Sequence, residues 1–233
     1  MFADRRDAGQ RLATKLVHYR GTDCIVLGVP RGGVVVADEV AAGLGAPLEA
    51  LVVRKIRAPA DAELGIGAVA AGAMTEVALD DRAIAMLGVL PDYVCDEVAR
   101  QLAEARLCEA LLREGRRPAP LADGTVILVD DGIATGNTMS AAVHVVGRAG
   151  PRRLVVATPV AAFDGLARLR PSVDEIVCLR APRQFDAVGA FYRDFPPVSD
   201  GEVIALLARA RARVPFYPAP IAGRGKGHAG ETS

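Results

Sequence analysis

The chain has no tryptophan and only ten aromatic side chains, six Phe and four Tyr, among 233 residues. Aromatics this scarce make any local clustering informative. Lysine is scarce as well: Lys15, Lys55 and Lys226 stand against a large excess of arginine. Charge of one sign is missing, because 28 basic side chains balance 28 acidic ones. A neutral chain has no general electrostatic pull toward nucleic acid or an anionic membrane. No apolar run approaches the roughly 20 residues needed to span a bilayer. The opening Met1-Phe2-Ala3-Asp4-Arg5-Arg6 has no apolar signal core either, and a cytoplasmic location is expected. Cys24, Cys95, Cys108 and Cys178 show no C-x-x-C spacing. They read as small buried hydrophobes in a reducing compartment. Finally, no G-x-x-x-x-G-K-[ST] occurs, which argues against a P-loop nucleotide site.

What is abundant is aliphatic: 51% of the residues are hydrophobic, enough to bury a sizeable core in one enzyme-sized domain. Strand and helix signals alternate. Apolar strands are expected at Cys24 to Val29, Leu51 to Val53, Val126 to Val129, Leu154 to Thr158 and Glu175 to Leu179. Helices are expected up to Leu44, from about Asp92 to Glu114, through Ala149, and near Asp164 to Arg170. Such alternation indicates a parallel sheet with helices on both faces.

The most informative stretch is Val126-Ile127-Leu128-Val129-Asp130-Asp131-Gly132-Ile133-Ala134-Thr135-Gly136-Asn137-Thr138. Its unbroken apolar start fits a strand covered on both faces, and such strands deliver ligands at their carboxyl ends. Asp130 and Asp131 sit at that end. The turn Ala134 to Thr138 and the helix opening near Gly136 offer backbone N–H groups and a dipole to an anion. Two carboxylates would repel that anion unless they face sugar hydroxyls or a cation, so the pattern implies a sugar phosphate with a divalent metal, Mg²⁺ by preference. Two plainer alternatives are a Walker B strand and a strand followed by an ordinary helix cap built on Thr135 and Asn137.

These residues resemble the signature of the type I phosphoribosyltransferases for phosphoribosyl pyrophosphate (PRPP). That signature is four hydrophobics, two acids and a short Thr-Gly-x-Thr loop. The resemblance extends from Phe2 to Asp200. It implies an α/β type I phosphoribosyltransferase-like fold, with a central parallel sheet, a mobile arm and a small C-terminal hood. It further implies that Asp130 and Asp131 hold the ribose 2′ and 3′ hydroxyls, and that Ala134, Thr135, Gly136, Asn137 and Thr138 hold the 5′-phosphate. Mg²⁺ would be held mainly through PRPP, with Asp130 and Asp131 as further ligands. A homodimer is implied as well. Enzymes of the 6-oxopurine branch carry an acid where this chain has Ala134, which points away from hypoxanthine or guanine and toward the adenine and orotate branches.

A second strand, Gly-loop and helix unit runs through Cys24 to Leu44. Gly32 and Gly33 permit close backbone approach to a ligand, and Arg31 supplies a planar cation for phosphate oxygens. In the resembled family this is the pyrophosphate loop. The third unit, Leu51 to Pro59, places Arg54 beside Lys55 at a strand end, where a cation could meet the leaving pyrophosphate or simply be solvated. Gly65-Ile66-Gly67-Ala68-Val69-Ala70 fits G-x-G-x-x-A but follows no strand, and it reads as arm rather than as a dinucleotide fingerprint. Phe185, Phe191, Tyr192 and Phe195 crowd one short segment. They could stack a base or close the core, with Phe191 and Tyr192 the expected base contacts. His144 reads as a surface or packing residue on its helix.

The expected organisation is a domain over 1–217, with a hood segment at about 180–200, and a disordered tail over 218–233. The expected chemistry, in nucleotide metabolism, is displacement of pyrophosphate from C1 of PRPP by a nitrogenous base, a small heterocycle. Asp130 and Asp131 would orient the sugar, while Arg31, Arg54, Lys55 and Mg²⁺ stabilise the departing charge. No nucleic-acid or membrane partner is expected. Alternatives are a non-catalytic PRPP- or nucleotide-sensing regulator using the same pocket, and a sugar-phosphate hydrolase, for which no dedicated acid or base is evident.

Overall fold

The computed structural model describes residues 1–59, 64–71, 76–114 and 119–214. The strands are β1 (Cys24–Gly28), β2 (Leu48–Ala50), β3 (Val52–Arg57), β4 (Gly65–Ala71), β5 (Glu76–Leu79), β6 (Thr125–Val129), β7 (Arg153–Val160) and β8 (Glu175–Arg180). The helices are α1 (Arg5–Lys15), α2 (Gly32–Leu44), α3 (Asp81–Met86), α4 (Pro91–Arg113), α5 (Asn137–Arg148), α6 (Phe163–Leu169) and α7 (Asp200–Arg213).

Five strands form one sheet in the order β2-β1-β6-β7-β8, and every neighbouring pair is parallel. The central strands β1 and β6 are buried at every residue, as expected for strands without polar alternation. Successive side chains nevertheless enter different cores, because a strand's side chains point alternately up and down. Val26, Ile127 and Val155 join α1, α2 and α7 on one face. Leu27, Val126, Leu128 and Val156 join α5 and α6 on the other. Helices therefore cover both faces, and the carboxyl ends of β1 and β6 open at the same edge of the sheet.

The segment after β2 departs from the sequence expectation. The apolar stretch from Leu51 does not continue the parallel sheet but enters β3, the first strand of a separate antiparallel sheet in the order β3-β4-β5. The G-x-G-x-x-A stretch, expected to follow no strand and to belong to the arm, is itself a strand, β4, paired with β3 and β5. Its glycine is required by packing: a Cβ on Gly67 would stand 2.5 Å from the carbonyl oxygen of Ala78 on β5. Ala60 to Glu63 and Gly72 to Thr75 of this arm lie outside the described residues, as does the tail expected over 218–233.

Local chemistry explains the helix starts. Asp4 caps α1 by accepting from the N–H of Asp7, and Ser199 caps α7 by accepting from that of Glu202. Pro91 opens α4, where its missing N–H costs nothing. The hood is not purely C-terminal. Phe2 pairs with Tyr192, its N–H bonded to Phe191 and its carbonyl to Arg193, so both ends of the domain build it. Of the cysteines only Cys24 is buried; Cys95 is exposed, and Cys108 and Cys178 are half-buried, because their positions face helix and edge-strand surfaces. Among the described residues no helix is long and apolar enough to cross a membrane.

Candidate active site

Two loops leave the carboxyl ends of adjacent strands and meet. Val29-Pro30-Arg31, which contains a cis Pro30–Arg31 peptide, connects β1 to α2. Asp130 to Gly136 connects β6 to α5. Their closest approach is between Gly32-Gly33 and the paired acids. A Cβ on Gly32 would stand 1.9 Å from Asp131 Oδ2, and one on Gly33 would stand 2.8 Å from Asp130 Oδ1. The absence of side chains at these glycines lets the two carboxylates lie against them, which no larger residue would allow without a shift.

The acids have different surroundings. Asp130 Oδ1 accepts from the N–H of Asp131 at 2.9 Å. Burial, and then the neighbouring Asp131 carboxylate, push the Asp130 carboxyl well above its ordinary range. Asp131 has a cation partner instead. Its Oδ2 accepts from Arg5 Nε at 2.7 Å, across 126 residues of sequence. The repulsion that sequence reasoning resolves by invoking a sugar or metal is thus met in part by a protein side chain. Arg5 is not among the residues the sequence singles out, and no local signal marks it: it looks like any arginine in the first turn of a helix.

The loop between β6 and α5 is shaped by glycine and by α6. Gly136 adopts φ +79°, and a Cβ there would stand 3.0 Å from the carbonyl oxygen of Gly165. A Cβ on Gly165 would in turn stand 2.5 Å from the carbonyl oxygen of Ala134. Ala134, Thr135 and Thr138 remain exposed on this loop. Asn137 is held from the side, its Oδ1 accepting from Arg168 Nη1 at 2.7 Å.

Arg31, Arg54, Lys55 and Thr138 line one cleft of about 810 Å³ between the first loop, the arm and α4. Asp130 and Asp131 are not on its wall; they stand behind Gly33 and Gly32. Two of the cations at the cleft are paired with acids: Arg31 with Asp200 at 3.6 Å and Arg54 with Glu104 at 2.9 Å. Lys55 also borders a second cavity of about 460 Å³, lined by the exposed His144 together with Ser140 and Arg168.

The hood aromatics pack mainly with one another. Phe185 stacks on Phe191 at 5.3 Å between centroids, and Tyr192 lies 4.8 Å from Phe195 and 5.4 Å from Phe2. Tyr192 is 5% exposed and its hydroxyl donates to the carbonyl of Asp131 at 2.5 Å. The expectation that Tyr192 stacks a base is therefore corrected: its ring is used in packing and its polar end supports the acid loop. Phe191 is half-buried and shares its face with Phe185.

The phosphoribosyl transferase domain profile matches residues 4–190. Over 211 residues the chain is 44% identical to proteins of two Mycobacterium tuberculosis strains, CDC 1551 / Oshkosh and H37Rv, each provisionally named a phosphoribosyl transferase. The match takes in 90% of this chain and 47% of theirs, so the chain spans about half the length of these curated relatives. The crystal structure of TT1426 from Thermus thermophilus superposes with a TM-score of 0.81 at 44% identity, over 89% of this chain and 98% of that one. The chain belongs to the phosphoribosyl transferase domain family.

Proposed function

We propose that the chain transfers the 5-phosphoribosyl group from PRPP to a ring nitrogen of a small heterocyclic base. The base nitrogen bonds to C1, the C1–O bond breaks, its electron pair leaves with pyrophosphate, and the base gives its proton to solvent. The observation that carries this reading is the meeting of two strand-end loops, the acids of one seated on the glycines of the other, beside a cleft lined by Arg31, Arg54, Lys55 and Thr138.

Each residue then has a physical task. Asp130 and Asp131 orient the sugar through its hydroxyls. The N–H groups of Ala134 to Thr138 and the first turn of α5, with the Thr135 and Thr138 hydroxyls, receive the 5′-phosphate. Arg31, Arg54 and Lys55 face the charge that builds on pyrophosphate as it departs, the electrostatic contribution that dominates such displacements. Among the described residues no cluster of three or more His, Cys, Asp or Glu side chains could hold a metal by itself. That donor set fits Mg²⁺, which commonly binds through one or two carboxylates and substrate phosphates. Asp130 and Asp131 would supply the carboxylates, and the ion would neutralise diphosphate charge.

Calorimetric titration with Mg²⁺-PRPP, followed by a pyrophosphate-release screen over purines, pyrimidines and pyridine carboxylates, tests the proposal. Binding with release in the presence of one base supports it and names the acceptor. Binding without release under every base identifies a sensor, and absence of binding overturns the assignment.

A further inference from the structure

Arg5 occupies an unusual position for a residue so near the start of the chain. It is 8% exposed and touches three parts of the site at once. Nε donates to Asp131 Oδ2 at 2.7 Å and Nη1 donates to the carbonyl of Pro196 at 2.8 Å. The guanidinium carbon lies 3.6 Å above the centre of the Phe195 ring. Where Gly32 passes, a Cβ would stand 2.8 Å from Nε, so the glycine loop closes the fourth side. A planar guanidinium suits this place because it can bond edge-on to two acceptors while its face rests on an aromatic ring.

Asp131 is consequently fixed at both its ends. Arg5 holds a carboxylate oxygen, and the Tyr192 hydroxyl holds the backbone carbonyl. Tyr192 belongs to the hood, and Arg5, at the start of α1, bonds to hood residue Pro196 and lies over Phe195; the hood is itself built from the two ends of the domain. With Oδ2 occupied, recognition of a ribose hydroxyl falls to Oδ1.

We propose that Arg5 is a positioning residue of the phosphoribosyl site: it selects the carboxylate oxygen of Asp131 that meets the ribose, and its contacts with Phe195 and Pro196 make that orientation depend on the hood. This rests on the phosphoribosyl reading above. The acid loop and the acceptor side of the site are thereby one mechanical unit, so that disturbing the hood is felt at the sugar.

The test uses the full chain as wild type, Arg5→Gln, Arg5→Lys and Phe195→Leu, titrated with Mg²⁺-PRPP and, separately, with pyrophosphate in the absence of Mg²⁺, which has neither ribose nor metal. Arg5→Gln should bind PRPP at least about 10-fold more weakly, the loss of one charge-assisted hydrogen bond. Affinity for metal-free pyrophosphate should stay within about 3-fold, since with neither ribose nor metal none of its contacts runs through Asp131. Arg5→Lys keeps the buried charge, and with it the fold, but cannot bond edge-on to both acceptors; it should recover part of the PRPP affinity. Phe195→Leu should weaken PRPP and spare pyrophosphate in the same way, more mildly. Equal losses for both ligands, or unchanged PRPP affinity in Arg5→Gln and Arg5→Lys, would overturn the positioning role while leaving the phosphoribosyl reading in place. Failure of the wild type to bind PRPP would overturn both.

Discussion

The floor of the site and its rim are built on opposite terms. The floor, where Asp130 and Asp131 lie on Gly33 and Gly32, is closely packed, and Asp131 is paired with the buried Arg5. The rim holds Arg31 and Arg54 in pairs with Asp200 and Glu104 that are largely open to water, with side chains 57% and 47% exposed in the first pair and 40% and 41% in the second. Exposed pairs of this kind contribute only about 0–1 kcal/mol, so the diphosphate of the proposed reaction would exchange for the acids at little cost. A buried pair broken on one side costs about 3–5 kcal/mol, so the floor is fixed by folding before any ligand arrives. Substitutions in the floor should therefore damage the fold and binding together, and substitutions in the rim should damage binding alone.

The largest effect is expected for Gly32→Ala. The added carbon collides with Asp131 Oδ2 at 1.9 Å and crowds Arg5 Nε. Overpacking should cost about 1–3 kcal/mol of stability. PRPP affinity, read by calorimetry, should fall about 100-fold or more. Normal binding by this variant would show that the floor is not closely packed.

The two acids should separate next. Asp131→Asn leaves Arg5 buried without its counter-charge and should lose about 3 kcal/mol in urea unfolding. Asp130 has a raised folded pKa, so its ionised form opposes folding. That cost is absent below the unfolded value of about 3.9 and grows as pH rises from there toward the folded value. Asp130→Asn removes it. Wild-type stability should therefore fall across that window relative to the variant, whose stability at neutral pH should equal or exceed wild type. The fold thus tolerates an amide at only one of the two acid positions. Equal destabilisation by both replacements would erase the distinction.

Thr138→Val, exposed in the first turn of α5, should weaken PRPP by about 10-fold through loss of the proposed hydroxyl bond to a charged group. A dephosphorylated analogue should be unaffected, and stability should change by less than about 0.5 kcal/mol. Lys55→Gln should lower pyrophosphate affinity about 5-fold at low salt, and the difference should shrink toward about 1 M salt as screening removes the interaction. Smallest of all, Glu104→Gln frees Arg54 and should alter stability by under about 0.5 kcal/mol, while raising pyrophosphate affinity by about 2-fold. A large stability loss in either rim variant would make the rim structural.

Much of the floor could be read from the linear chain. The runs Cys24 to Val29 and Val126 to Val129 appear as β1 and β6, and the helix expected over Asp92 to Glu114 appears as α4 over Pro91–Arg113. Such elements are legible because their hydrophobic pattern and end signals are local. The arm is not legible in this way, since Leu51 to Val53 reads as a strand whether it joins a parallel sheet or starts an antiparallel one. The aromatic cluster misleads for a related reason: composition shows that Tyr192 is amphipathic but not which partner takes its hydroxyl.

The sequence by itself determined the two strand, loop and helix units, the acid pair and the glycines, because each lies within one contiguous stretch of at most 24 residues whose order is its structure. Only the tertiary structure decided that Gly32 faces Asp131, that Arg5 reaches the same carboxylate from 126 residues away, and that both ends of the domain share the hood. Such contacts follow from strand order and helix packing. These are set by burial of the whole core, and they leave no mark on the neighbouring residues of the chain.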